Sequence, residues 1–113
     1  MIVFKTKEYP TRFGMAVYKE WEQLEGISVT EMGSIFTPDK TLGAKEIVSI
    51  LSMGYLAIKS GCRKDGIEFK ITLEDFLDEI GNDEIQAMVE VVADGIKTYY
   101  EGAENKRQPK VED

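Results

Sequence analysis

The middle of the chain sets the strongest limit on its fold. From about Leu42 to Ser60, the residues Ile47, Val48, Ile50, Leu51, Met53, Tyr55, Leu56 and Ile58 leave little polar surface on any side of a helix. Such a helix is either central in its fold or keeps a second face for a partner. Thr41 is placed to cap it. Gly43 and Gly54 lower its helix propensity, and Gly54 would let another backbone approach closely. No apolar run in the sequence approaches the ~20 residues of a membrane-spanning helix.

The flanking segments supply what such a helix would pack against. Ile2-Val3-Phe4 reads as a strand, Thr6-Lys7-Glu8 as a turn, and Tyr9 to Phe13 as a returning strand that Pro10 restricts to an edge or a short run. A lone hairpin is not stable and must pack on something. Phe13, Val17, Trp21 and Leu24 recur at steps of four, four and three, one helical face that Gly26 would close in the left-handed conformation. Ser28 to Glu31 has capping-box spacing before a short helix bearing Met32, Ile35 and Phe36, and Thr37-Pro38-Asp39-Lys40 reads as a turn.

Beyond the central helix, Gly61 to Gly66 reads as a polar loop, and Ile67 to Ile71 alternates as a short extended stretch. Thr72 caps a compact helix with Leu73, Phe76, Leu77 and Ile80 inward, closed by Gly81. Asn82 opens the last helix, with Ile85, Met88, Val89, Val92, Ile96 and Tyr99 on one face. From Glu101 to Asp113 charges dominate. The expected fold is mainly α: four to five helices and a short N-terminal β-hairpin in one domain over residues 1–100, then a flexible, disordered charged tail over 101–113. A chain of 113 residues is the size of one domain.

Charge narrows the choice of partner. With 14 basic and 21 acidic residues the net charge is −7, which disfavours nucleic acid and anionic membranes and favours a basic or strongly apolar partner. The sequence has no histidine, so the commonest general base and metal ligand is missing. The one cysteine, Cys62, excludes an internal disulfide and reads as an incidental loop thiol, although Arg63 and Lys64 beside it would favour the thiolate. Glu74 and Asp78, and Asp75 and Glu79, are spaced to share helix faces; such pairs are usually a solvated face rather than a cation site. No glycine spacing matches a phosphate or dinucleotide loop. These features predict no catalytic, cofactor or metal site, and the start of the chain lacks the basic-then-apolar order of a secretory leader, which places the protein in the cytoplasm.

What remains is apolar surface in excess of what a small domain covers. Met32, Ile35, Phe36, Met53 and Tyr55, together with Tyr99 and Tyr100 ahead of the tail, are the expected partner-binding residues. The competing expectation is that they are core. Self-association would also cover them and is left open.

The order of elements resembles a known family. Ile2-Val3-Phe4-Lys5, then Lys7-Glu8-Tyr9-Pro10, Arg12-Phe13-Gly14 and a helix ending near Leu24-Glu25-Gly26-Ile27, is similar to the N-terminal region of the tail assembly chaperones of long-tailed phages and prophages. The apolar helix Ile47-Val48-Ser49-Ile50-Leu51-Ser52-Met53-Gly54-Tyr55-Leu56 and the helix Leu73-Glu74-Asp75-Phe76-Leu77-Asp78 continue the likeness, over about residues 2–100. It is a pattern of elements without a catalytic motif, and the stretch from Gly33 to Leu42 is looser than the family's usual helix entry. The resemblance implies a protein of the host bacterial cytoplasm that binds the long helical tape measure protein, keeps it soluble and helps recruit tail tube protein. The alternative expectation is an acidic regulatory adaptor or inhibitor that occupies a basic groove on another protein.

Overall fold

The computed structural model describes residues 1–33 and 43–107; for residues 32, 33 and 99–107 the description covers the backbone alone. The elements run β1 (Ile2–Phe4), β2 (Lys7–Tyr9), α1 (Met15–Glu25), α2 (Val29–Gly33), α3 (Ala44–Asp65), α4 (Leu73–Glu79) and α5 (Asn82–Arg107). The fold is mainly helical, with an N-terminal two-stranded antiparallel hairpin, as the sequence predicts.

The hairpin is tighter than the sequence suggests. Ile2 pairs with Tyr9, Val3 with Glu8 and Phe4 with Lys7, so the second strand is Lys7–Tyr9 rather than a run from Tyr9 to Phe13. The turn is Lys5-Thr6, with φ of 52° and 63°. Two left-handed residues in succession match the twist of a two-residue hairpin, a role usually given to Asn-Gly. Alternation along β1 buries Ile2 and Phe4 and leaves Val3 at the surface.

The central helix resolves the choice between core and partner face in favour of core. From Ser49 to Cys62 nearly every residue of α3 is buried. Helices α1, α4 and α5 and strand β2 all pack against it. Glycines make the closest approaches. A Cβ on Gly54 would lie 2.8 Å from Met88 Sδ, and one on Gly61 would lie 2.4 Å from the Pro10 carbonyl oxygen. Gly61 therefore serves backbone packing, and the helix runs through the segment that reads as a loop. It ends at Gly66, whose φ of 71° is the left-handed cap.

Side-chain hydrogen bonds fix the helices around this axis. Trp21, fully buried on α1, donates from Nε1 to the Ser49 carbonyl at 2.8 Å. Tyr18 donates from its hydroxyl to the Gly95 carbonyl of α5 at 2.9 Å. An aromatic cluster closes the other end. Phe4 and Phe76 have ring centroids 4.7 Å apart, Tyr55 and Phe76 5.4 Å, and Tyr9 and Phe69 5.3 Å. These contacts join the hairpin, α3, the irregular segment 67–72 and α4.

The caps largely follow expectation. Gly26 closes α1 at φ 75°. Ser28 and Glu31 form the predicted reciprocal box: the Glu31 amide donates to Ser28 Oγ at 3.1 Å, and the Ser28 amide donates to Glu31 Oε1 at 3.2 Å. The Asp75 amide donates to Thr72 Oγ1 at 3.2 Å. Thr41, the expected cap of the central helix, lies outside the described residues; Gly43 occupies the cap position, and its amide donates to Glu46 Oε1 at 2.7 Å. One burial and one boundary differ. Leu24, expected inward on α1, is 50% exposed. Helix α5 continues to Arg107, past the boundary at residue 100, because Glu101, Ala103, Glu104, Lys106 and Arg107 include strong helix formers; residues 108–113 lie outside the described residues.

Candidate functional site

The site with an open shape lies where the chain leaves the hairpin and crosses α5. After β2, Pro10 presses on α3 at Gly61, and the Arg12 amide donates to the Ala57 carbonyl at 3.0 Å. These contacts hold Thr11 and Phe13 over α5. The Phe13 ring lies on Gly95; a Cβ there would meet its Cδ1 at 2.7 Å. Any larger residue at position 95 would push the ring away.

Beside this crossing is an open groove of about 620 Å³. Met1, Thr11 and Phe13 form one wall. Ala87, Glu90, Val91, Asp94 and Thr98 form the other, with Gly95 at the base. On α5 these wall residues recur at helical spacing, adjacent to the row Met88, Val92 and Ile96 that is buried in the core. One helix thus carries two neighbouring stripes, one inward and one along the groove. The groove stripe combines apolar surface from Ala87 and Val91 with the carboxylates of Glu90 and Asp94. Both carboxylates are exposed, and neither makes an ion pair among the described residues. Met1, 69% exposed, contributes a flexible thioether at the rim.

The residues expected to bind a partner fare differently. Met53 is fully buried, and Tyr55 is 7% exposed with its hydroxyl donating to the Ile71 carbonyl at 2.6 Å. Both are core residues, which corrects the expectation of accessible contacts on α3. Ile35 and Phe36 lie outside the described residues, as do the side chains of Met32, Tyr99 and Tyr100. Sequence periodicity does not single out the groove residues on α5. Its one signal there is Val91, an aliphatic residue set off from the Met88, Val92 and Ile96 row.

Cys62 is buried inside α3 rather than in a loop. Burial pushes its thiol above the ordinary value, Asp65 adds to this, and Lys7 partly opposes it. The effect runs opposite to thiolate activation. Among the described residues no cluster of acidic or cysteine side chains could hold a metal ion, and no helix is long and apolar enough to cross a membrane.

No protein-family model matches the chain, and neither a curated protein nor a solved structure does so.

Proposed function

We infer that this chain is a binding protein of the tail assembly chaperone type, acting in the cytoplasm of a bacterial host on the helical tape measure protein and helping to recruit tail tube subunits. The observation that carries the reading is the groove along α5. It is apolar at Phe13, Val91 and Met1, acidic at Glu90 and Asp94, and open to solvent. A helical client lays its apolar face into such a groove. The net charge of −7 repels like copies and keeps a complex with an aggregation-prone client soluble.

Further support comes from the order of elements, a hairpin leading into a helical domain, on which the resemblance rests. Met53 and Tyr55 are buried, so the proposed client contacts are taken from α5 and not from these two residues of α3. Contact along one long client would be repeated many times, so modest affinity at each site is sufficient.

The test is co-expression with a long helix-rich protein encoded beside this one. The client is expected to stay soluble and to co-purify with the chain. A client that remains insoluble, or that is equally soluble without the chain, rejects the reading. Binding to a single folded partner at fixed stoichiometry, lost steeply with added salt, would instead assign an acidic inhibitor.

A further inference from the structure

We propose that the groove between Phe13 and α5 recognises an amphipathic helix whose apolar stripe is flanked by two basic residues one turn apart, with Glu90 and Asp94 as the specificity-determining residues. The inference rests on the binding role proposed above and specifies the chemistry of the client.

Three features of the groove point to this occupant. Its lining is side chains, with Met1, Thr11 and Phe13 facing Ala87, Val91 and Thr98, a surface that matches the side-chain face of a helix. The stripe from Ala87 to Thr98 spans about 16 Å at the rise of an α-helix, enough for about three turns of a helix lying alongside. Glu90 and Asp94 stand at i and i+4, about 5–6 Å apart on one flank of the apolar strip, so two lysines or arginines at the same spacing on the occupant would meet both.

Charge favours the same partner. Among the described residues the groove wall on α5 carries two carboxylates and no basic side chain. The whole-chain charge of −7 adds a long-range attraction for a basic segment and a repulsion for an acidic one. The apolar contacts at Phe13, Val91 and Met1 then supply adhesion, and the carboxylates select among helices of similar hydrophobicity.

The experiment uses the full chain and a fluorescein-labelled synthetic helix of about four turns, with leucines on one face and two lysines flanking them at i and i+4. A second peptide carries glutamates in place of those lysines. Fluorescence anisotropy should show the lysine peptide binding about tenfold or more tightly than the glutamate peptide. The double variant Glu90→Lys, Asp94→Lys should invert the order. Both sites are exposed, so circular dichroism should be unchanged. Should that variant fail to fold, Ala87→Trp fills the groove from an exposed position and should abolish binding of both peptides.

Equal binding of the two peptides, or binding indifferent to Ala87→Trp, overturns the proposal. So does a concentration-dependent dimer that Ala87→Trp dissolves, which would assign the groove to a second copy of the chain. If peptide discrimination holds while the co-expressed client stays insoluble, the chaperone role fails and the groove assignment stands. Client rescue without peptide discrimination overturns the groove assignment and leaves the chaperone role standing.

Discussion

The Glu84 carboxylate lies 3.0 Å from the amide nitrogen of Thr6, a residue 78 positions earlier in the chain. Its other oxygen accepts the Gly81 amide at 3.1 Å, so one side chain both caps α5 and holds the hairpin turn. Lys5, the other turn residue, pairs with Glu79 at the end of α4. The hairpin is thereby tied to the α4–α5 junction by two carboxylates.

The tie predicts a pH dependence with a definite sign. The Thr6 amide hydrogen bond, more than any other cause, holds the Glu84 carboxyl below its ordinary value of 4.5. A depressed carboxyl stabilises the fold above its unfolded value and loses that contribution as pH falls through the folded one. Stability should therefore fall with acidification from about pH 4.5 downward, and Glu84→Gln should flatten part of that slope. At neutral pH the variant should lose about 1 kcal/mol, less than a typical charged hydrogen bond contributes, because the group is partly solvated. Urea melts at pH 7 and pH 4 check both; parallel pH profiles for the two proteins would contradict the tie.

The turn itself holds backbone strain. Thr6 is β-branched and sits at φ 63°, a conformation that costs such residues about 1–2 kcal/mol. Its amide, not its side chain, makes the bond to Glu84, so Thr6→Gly keeps the tie and removes the strain. Part of the gain is offset by glycine's greater freedom in the unfolded chain. A net stabilisation of about 0.5–1 kcal/mol is expected in thermal melts. A destabilised variant would mean that the Thr6 hydroxyl bond to the Lys5 carbonyl matters more than the strain.

This turn also explains what can be read from the sequence and what cannot. Lys5-Thr6 has no turn signature, because glycine and asparagine are the residues that normally mark φ above zero, so sequence patterning places the second strand too late. Gly61 misleads in the opposite direction. Glycine marks both helix ends and close approaches, and only the position of Pro10 in space separates the two uses. The caps at Gly26, Ser28 and Thr72 are legible because they depend on residues within one turn, whereas Asn82 is the first residue of α5 and Gly81 holds its cap position. The groove is not, since it forms where residues near 13 meet residues near 95, and local periodicity carries no signal for that crossing.

Trp21 offers a direct probe of the core. It is fully buried and donates to the Ser49 carbonyl at 2.8 Å. Its emission should be blue-shifted in the native state and move red on unfolding. Trp21→Phe leaves that carbonyl without its indole partner and removes buried ring volume, for a loss of about 2–3 kcal/mol in denaturant melts. A loss under about 0.5 kcal/mol would show that the indole is not anchoring α1 to α3.

Cys62 should behave as a core residue. With burial raising its thiol, Ellman's reagent should label the native protein slowly and the urea-unfolded protein quickly. Labelling at the same rate in both states would place the thiol at the surface and contradict the continuation of α3 through Gly61.

Two glycines of α3 should respond differently to the same substitution. At Gly61 an added methyl would lie 2.4 Å from the Pro10 carbonyl oxygen, a backbone atom of a segment also held by the Arg12–Ala57 hydrogen bond. Neither side can yield without moving the hairpin exit, so Gly61→Ala should cost about 2–3 kcal/mol despite alanine's better helix propensity. At Gly54 the nearest atom is Met88 Sδ at 2.8 Å, part of a side chain with three rotatable bonds. The thioether can shift, and the propensity gain of about 1 kcal/mol offsets the repacking, so Gly54→Ala should stay within about 1 kcal/mol of the parent. Gly61→Ala should also displace Thr11 and Phe13, the wall of the groove, and weaken lysine-peptide binding at temperatures where the variant is still folded. Equal stabilities for the two variants would show that α3 does not meet the Pro10 backbone as closely as the structure places it.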